Sequence, residues 1–384
     1  MVEQRARFQF PVGYRRFHPK QLYNFQLNRW YSLGYLPCDD LAAAGKRVSS
    51  FATWTAEMQA RGDEALRRNN LMHAAFFYRA EEFYTIPARR REALYERFSE
   101  LFYRAFAEDG IDTHEVRYQG AFLHAMRLRR SGRGPHRGTI VLHGGFDSFI
   151  EEFYSMMRFL ADAGYDVIGF DGPGQGASRR RHGVVFDYRW EQPMSAILDH
   201  FAVEDVTVIG LSLGGWLCLR ASAFEKRIAR VIPNGHAYDQ YKIPSLIAQK
   251  LMTLFNTRFK DSSNRIATKN IEKGGMEGWQ MSNLMYITEI EPPMSAFDYA
   301  MQLNEENLHC ELVDQDVLLL TSREDHFIPY KLHNRQVQLL ANARSLTDRV
   351  FTKAESAQNH CQIGNIGLAL QVMDDWITRT TARS

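Results

Sequence analysis

Val206-Thr-Val-Ile-Gly210-Leu-Ser212-Leu-Gly214-Gly215-Trp-Leu-Cys218 decides the fold. Four apolar or β-branched residues make a short buried strand. A Gly-x-Ser-x-Gly turn follows, and then a run with helical character. Small residues let the chain reverse tightly between strand and helix. The turn puts the Ser212 hydroxyl at a helix N-terminus, where developing negative charge is favoured. Ser212 is therefore the candidate nucleophile.

A serine hydroxyl needs a base, and the base needs an orienting acid. On a strand–elbow–helix scaffold the chain order is serine, acid, histidine. Asp325 stands 113 residues after Ser212, just past the strand-like Val317-Leu-Leu-Leu-Thr321. His360 follows 35 residues later, past the last strand-like run. Both fall at carboxyl ends of strands, where open α/β sheets carry their sites. Glu324 is the rival acid; Asp325 is preferred because it stands nearer the Phe327-Ile-Pro329 turn. His326 reads as a bystander. An oxyanion needs two fixed amides. The Leu213 N–H supplies one. The loop His143-Gly144-Gly145-Phe146 supplies the other, with Gly145 first and Phe146 second. His143 reads as a residue that braces this loop.

Strand-like runs lie at 114–118, 121–128, 138–142, 166–170, 205–209, 228–232, 316–321 and 345–351. Helical segments at 150–164, 188–202, 213–225, 330–341 and 364–379 lie between or beyond them. The alternation predicts an α/β fold with a mostly parallel sheet flanked by helices. Residues 1–111 read as an N-terminal helical segment, with helices over 53–82 and 88–108. Residues 112–235 and 311–384 form the core. Residues 236–310 are too long for a structureless loop, and amphipathic stretches at 243–255 and 299–308 make them a helical cap insertion.

Lys and Arg total 47 against 45 Asp and Glu, a net charge of +2, which gives no general attraction to nucleic acid or membrane. The basic runs Arg89–Arg91, Arg129–Arg130 and Arg179–Arg181 read as ion-paired or solvated faces. Four cysteines without a CxxC make no disulfide framework. The opening Met-Val-Glu-Gln-Arg lacks a signal peptide's apolar core, and no uncharged apolar run is long enough to span a bilayer. A cytoplasmic protein is expected. Asp171-Gly-Pro-Gly-Gln-Gly176 has a G-x-G, but it follows the fourth strand and does not open a βαβ unit, so no dinucleotide is expected. No metal-ligand spacing occurs, so no metal or other cofactor is expected.

With these residues in this order, 112–384 resemble the α/β-hydrolase superfamily. Gly144-Gly-Phe-Asp147 with Glu151-Glu152, the 171–176 turn, and Asn359-His-Cys-Gln-Ile-Gly364 resemble one branch of it more closely. That branch holds 2,6-dihydroxypseudooxynicotine hydrolase, the yellowish-green-type polyketide-shortening hydrolases and the fermentation–respiration switch proteins. The resemblance implies hydrolysis of a C–C bond between carbonyls in a β-diketone-like small molecule, in secondary metabolism or the breakdown of aromatic or polyketide compounds. Ester or thioester hydrolysis, or acyl transfer with cyclisation, needs the same machinery. A ligand-binding protein without catalysis is the remaining reading, and the intact serine–acid–histidine set speaks against it. The resemblance also implies a homodimer through the N-terminal helices. The cap and those helices would enclose an apolar pocket. Its candidate lining residues are Tyr23, Phe25, Trp30, Phe149, Tyr238, Trp279, Met281 and Tyr286.

Overall fold

The computed structural model describes residues 8–86, 88–131 and 134–382; residues 1–7, read above for a leader, lie outside these. Five helices come first: α1 (Gln21–Ser32), α2 (Cys38–Arg47), α3 (Phe51–Arg67), α4 (Leu71–Phe83) and α5 (Ala88–Ala105). The single helical stretch read over 53–82 is two helices. The chain turns at Asn69, where φ is 56°, and the Asn70 side chain accepts the His73 amide at 3.1 Å to cap α4.

The core follows as β1 (Asp112–Tyr118), β2 (Ala121–Leu128), β3 (Thr139–His143), α6 (Tyr154–Asp162), β4 (Asp166–Asp171), α7 (Gly176–Arg180), α8 (Glu191–Phe201), β5 (Val206–Leu211), α9 (Leu213–Phe224) and β6 (Ile228–Asn234). The cap is α10 (Leu246–Arg258), α11 (Lys260–Lys273), α12 (Met276–Thr288), α13 (Pro293–Ala300) and α14 (Glu305–Leu308). The amphipathic stretch at 299–308 is thus not one helix; it is interrupted between α13 and α14. The chain ends with β7 (Asp316–Ser322), α15 (His333–Leu339), β8 (Ser345–Phe351) and α16 (Ile366–Thr381).

The eight strands form one sheet in the order β1-β2-β4-β3-β5-β6-β7-β8. β1–β2 and β2–β4 pair antiparallel, and the other neighbours pair parallel. β3 and β5 are buried along almost their whole length, which is why their sequences run apolar without alternation. The order reverses at β3: the chain steps outward to β4, then crosses back to β5. A crevice opens at the carboxyl ends of strands at such a switch point. The 144–147 loop and Ser212 both lie there.

The basic runs are largely consumed by ion pairs. Arg90 meets Glu81 at 2.6 Å, Arg181 meets Glu96 at 2.7 Å, and Arg179 meets Glu289 at 3.6 Å. Glu82 takes Arg79, Arg91 and Arg180 together. Burial pushes its carboxyl up, but the three guanidinium groups overcome this and hold it at about 2. Arg79 also pairs with the buried Glu152 at 2.7 Å, and so ties α4 to the segment after β3. Removing one partner of a buried ion pair costs roughly 3–5 kcal/mol, because the other charge stays buried. Arg79→Met is expected to lower the unfolding free energy by about that much, read as a lower urea midpoint.

Candidate active site

The elbow is strained. Ser212 has φ 60° and ψ −127°, outside the usual regions for a side chain with a Cβ. Its amide donates to the Asn234 carbonyl at 2.8 Å, which pins the turn to the end of β6. A Cβ on Gly210 would run into the carbonyl of Gly214, so only glycine fits there.

The structure brings Ser212, His360 and Asp325 together. Ser212 Oγ lies 2.8 Å from His360 Nε2, and His360 Nδ1 lies 2.6 Å from Asp325 Oδ2. The other Asp325 oxygen accepts the amides of Phe327 at 2.8 Å and Ile328 at 2.9 Å. The 326–328 turn therefore aims this carboxylate. Glu324, the rival acid, is exposed to solvent. With Nδ1–H donating to Asp325, Nε2 is left to accept the serine proton. Burial pulls the His360 imidazole down, but the Asp325 carboxylate, with smaller help from Cys361, overcomes this and holds it well above its usual 6.5. His326 behaves oppositely: burial, aided by His360, pushes it down to about 4.

The histidine loop is clipped to the sheet by a reciprocal amide pair. Asn234 Nδ2 donates to Gln362 Oε1 at 2.8 Å, and Gln362 Nε2 donates to Asn234 Oδ1 at 2.9 Å. Sequence reasoning quoted Gln362 within a motif but gave it no task, and it missed Asn234.

Of the two amides expected to offer the second oxyanion donor, the first choice is already engaged. The Gly145 amide already donates to Ser148 Oγ at 3.1 Å, so it is not free for a substrate oxygen. Gly145 serves instead by closeness, since a Cβ there would lie 2.7 Å from the Leu213 nitrogen. Among the described residues, the amides of Leu213 and Phe146 meet no acceptor. These two are the unengaged amides of the Ser212 and 144–147 loops and remain the candidate oxyanion donors. His143 is wholly buried, its Nδ1 is 3.1 Å from the Gly144 carbonyl, and burial lowers its pKa to about 4.

Three separate parts of the chain hold this loop. Gln175 Nε2 donates to the carbonyls of Gly144 and Gly145, each at 2.9 Å. Asn283 of α12 donates to the Phe146 carbonyl at 3.2 Å, and Arg91 of α5 holds Asn283 at 2.8 Å. Arg79 of α4 donates to the Asp147 carbonyl at 2.5 Å. The 171–176 turn thus has a purpose that its glycines did not reveal: it carries Gln175. A small misplacement of oxyanion donors costs up to about 100-fold in rate. Gln175→Ala is expected to lower kcat about 10–100-fold with KM little changed, since the lost order acts on the transition state. Steady-state kinetics on an aryl ester check it.

A cavity of about 560 Å³ opens over Ser212 and His360. Phe25 and Phe83 line it from the N-terminal helices, and Trp279, Met281, Phe297 and Met301 from the cap. Phe25, Trp279 and Met281 are where the sequence put them. Five other candidates are elsewhere. Tyr23 stacks on Trp54 with ring centres 5.6 Å apart, and Trp30 packs against Trp54 and Phe83. Phe149 lies under the guanidinium groups of Arg79 and Arg180, at 3.9 and 4.4 Å. Tyr286 sits beside Arg91, Arg179 and Arg180. Tyr238 packs with the buried residues around Trp216, whose indole N–H donates to the Tyr238 carbonyl at 3.2 Å. Among the described residues no cluster of three metal-ligating side chains forms.

A mostly parallel sheet with a strained serine elbow, a histidine and a buried carboxylate defines an α/β hydrolase. Residues 139–356 match the alpha/beta hydrolase fold family, and the chain belongs to it. It is 35% identical over 147 residues to the hydrolase LUC6 of a Fusarium species, covering 34% of each chain. It is 31% identical over 177 residues to 2,6-dihydropseudooxynicotine hydrolase of Paenarthrobacter nicotinovorans, covering 44% of this chain and 47% of that one. The matches thus span a third to a half of these curated relatives. The crystal structure of 2,6-dihydroxy-pseudo-oxynicotine hydrolase has the same fold, with a TM-score of 0.66 and 21% identity over 91% of this chain and 94% of that one.

Proposed function

We propose that this chain is a serine hydrolase that cleaves a C–C bond between carbonyls of an apolar, β-diketone-like small molecule through an acyl-enzyme. The observation that carries the reading is the Asp325–His360–Ser212 relay at the floor of an apolar cavity, with the Leu213 and Phe146 amides unengaged beside it. Ser212 Oγ attacks one carbonyl as its proton passes to His360 Nε2. The oxyanion rests on the two amides. Collapse breaks the C–C bond, and the electron pair leaves as an enolate that takes the proton back from the imidazolium. Water, deprotonated by His360, then attacks the acyl ester, and the acid leaves as the proton returns to Ser212. The similarity to 2,6-dihydropseudooxynicotine hydrolase supports the carbon leaving group.

In this reading the described helices within 1–111 and 236–310 close the pocket over the core formed by the described parts of 112–235 and 311–384. Both carry cavity residues, among them Phe25 and Phe83 on one side and Trp279 and Met301 on the other. None of the four cysteines is disulfide-bonded, which suits the reducing cytoplasm. No described helix is long and apolar enough to cross a membrane.

The test is intact-protein mass after mixing with β-diketones, aryl esters, acyl thioesters and a fluorophosphonate. A phosphonyl adduct on Ser212, with turnover of a diketone to acid and ketone, is the expected result. Ester turnover without diketone turnover moves the substrate to esters. No adduct from any reagent ends the serine-hydrolase reading.

A further inference from the structure

Helix α10 is built inside out. Leu246, Leu254, Ile247, Leu251 and Phe255 occupy two adjoining i, i+4 rows of the helix. With Phe259 and with Ile266 of α11, they are between 43% and 75% exposed. The buried residue of α10 is polar: Gln249, whose side-chain amide donates to the Pro244 carbonyl at 2.9 Å. Asn256 bonds Asp298, and Lys260 pairs with the same carboxylate at 2.7 Å. Turning the helix to bury its leucines would break these polar anchors, so the exposed face belongs to the fold.

The size of this face sets its meaning. With side chains of about 150–200 Å² each, the exposed fractions amount to roughly 700 Å². The largest apolar patch on a typical monomer is about 300–600 Å². Each partner in a standard interface gives about 800 Å². We propose that the α10–α11 face is covered by the same face of a second copy of this chain, in a two-fold dimer. Two neighbouring i±4 rows on one helix are self-complementary, because such ridges fit the grooves of an identical helix crossing them. Lys250 stands between Leu246 and Leu254 in their row and Arg258 ends it, while Asp261, Lys269, Glu272 and Glu277 are exposed on α11 and α12, so the face and its border carry both signs. Mixed charge suits a protein rim. The three carboxylates would oppose a uniformly anionic lipid surface.

The same cap presents its other side to the cavity. Met276 and Trp279 of α12, Phe297 of α13 and Met301 just after it line the pocket, and α12 and α13 pack on α11, which in turn packs on α10. The partner therefore steadies the pocket wall, and dimerisation lowers KM without supplying a residue to Ser212.

Sedimentation velocity across a dilution series tests the interface independently of any activity. The expected wild-type mass is twice that of the chain. Leu251→Glu with Phe255→Glu is expected to give the single-chain mass with an unchanged circular dichroism spectrum, since both sites are exposed. The milder Leu251→Ala with Phe255→Ala is expected to weaken the dimer at least tenfold. Fluorophosphonate labelling of Ser212 persists in all of them, while KM for an ester rises in the monomer. A wild type of single-chain mass at every concentration overturns the proposal. So does a dimer that survives the Glu pair, which would place the interface elsewhere, such as on the N-terminal helices. So does a monomer that co-floats with phosphatidylcholine–phosphatidylglycerol vesicles through this face.

Discussion

Ser212→Ala is expected to lower kcat on an aryl ester by about 10⁴–10⁶-fold, the range for losing the nucleophile of a comparable triad. The loss is large because everything else at the site serves that oxygen. His360 Nδ1 is committed to Asp325 at 2.6 Å, which leaves Nε2 to take the proton of Ser212 Oγ, 2.8 Å away. The residue left behind is tolerated, because Ala holds the φ of 60° no worse than Ser does. The variant should keep the melting transition and bind an apolar product analogue as the wild type does, since the cavity walls are untouched. Residual rate then reports the oxyanion amides and water alone. A variant that retains a tenth of wild-type kcat, or still takes up fluorophosphonate, would mean that another nucleophile does the work.

The second largest effect belongs to Asp325→Asn, at about 10⁴-fold in kcat near neutral pH. The amide presents no charge to the imidazole and can offer an N–H where Nδ1–H needs an acceptor, so the wrong tautomer faces Ser212. The pH profile carries a sign as well. His360 must be neutral to act as base, and Asp325 holds its pKa well above 6.5. Wild-type kcat/KM should therefore climb with pH through a midpoint above 6.5, and be lost below it as His360 protonates. Without the carboxylate, burial dominates and the midpoint of the residual activity falls. Glu324→Gln, at an exposed position, should leave both rate and midpoint unchanged. If the large loss follows Glu324 instead, the acid has been misassigned.

The relay was legible in the sequence because it depends on order along a chain and on strand ends, and both leave marks in residue type. The sheet was legible for the same reason: β3, β5 and β7 are apolar on both faces. The anion site was half legible. Gly145 and Phe146 are neighbours in one loop, and the choice between their amides turns on Ser148, three residues on, which takes the first. The pocket was the least legible. Phe25 and Phe149 read alike as aromatic residues near the site. One faces the cavity, and the other is roofed by two arginines 70 and 31 residues away in sequence. Which side of an aromatic residue meets a cation is settled by chain segments far apart, and local composition holds no trace of it.

Four consecutive carbonyls, Gly144 to Asp147, are tethered to Gln175, Asn283 and Arg79, which belong to the turn after β4, the cap and the N-terminal helices. An engineer who grafts a foreign cap onto this core to change what it cleaves will therefore also cut one of the guy-lines of the anion site. The graft must carry an amide at the position of Asn283, and must keep Arg91 behind it, before its new walls can be judged. The wall that faces the substrate is thus fastened, through one asparagine, to the loop beside the nucleophile.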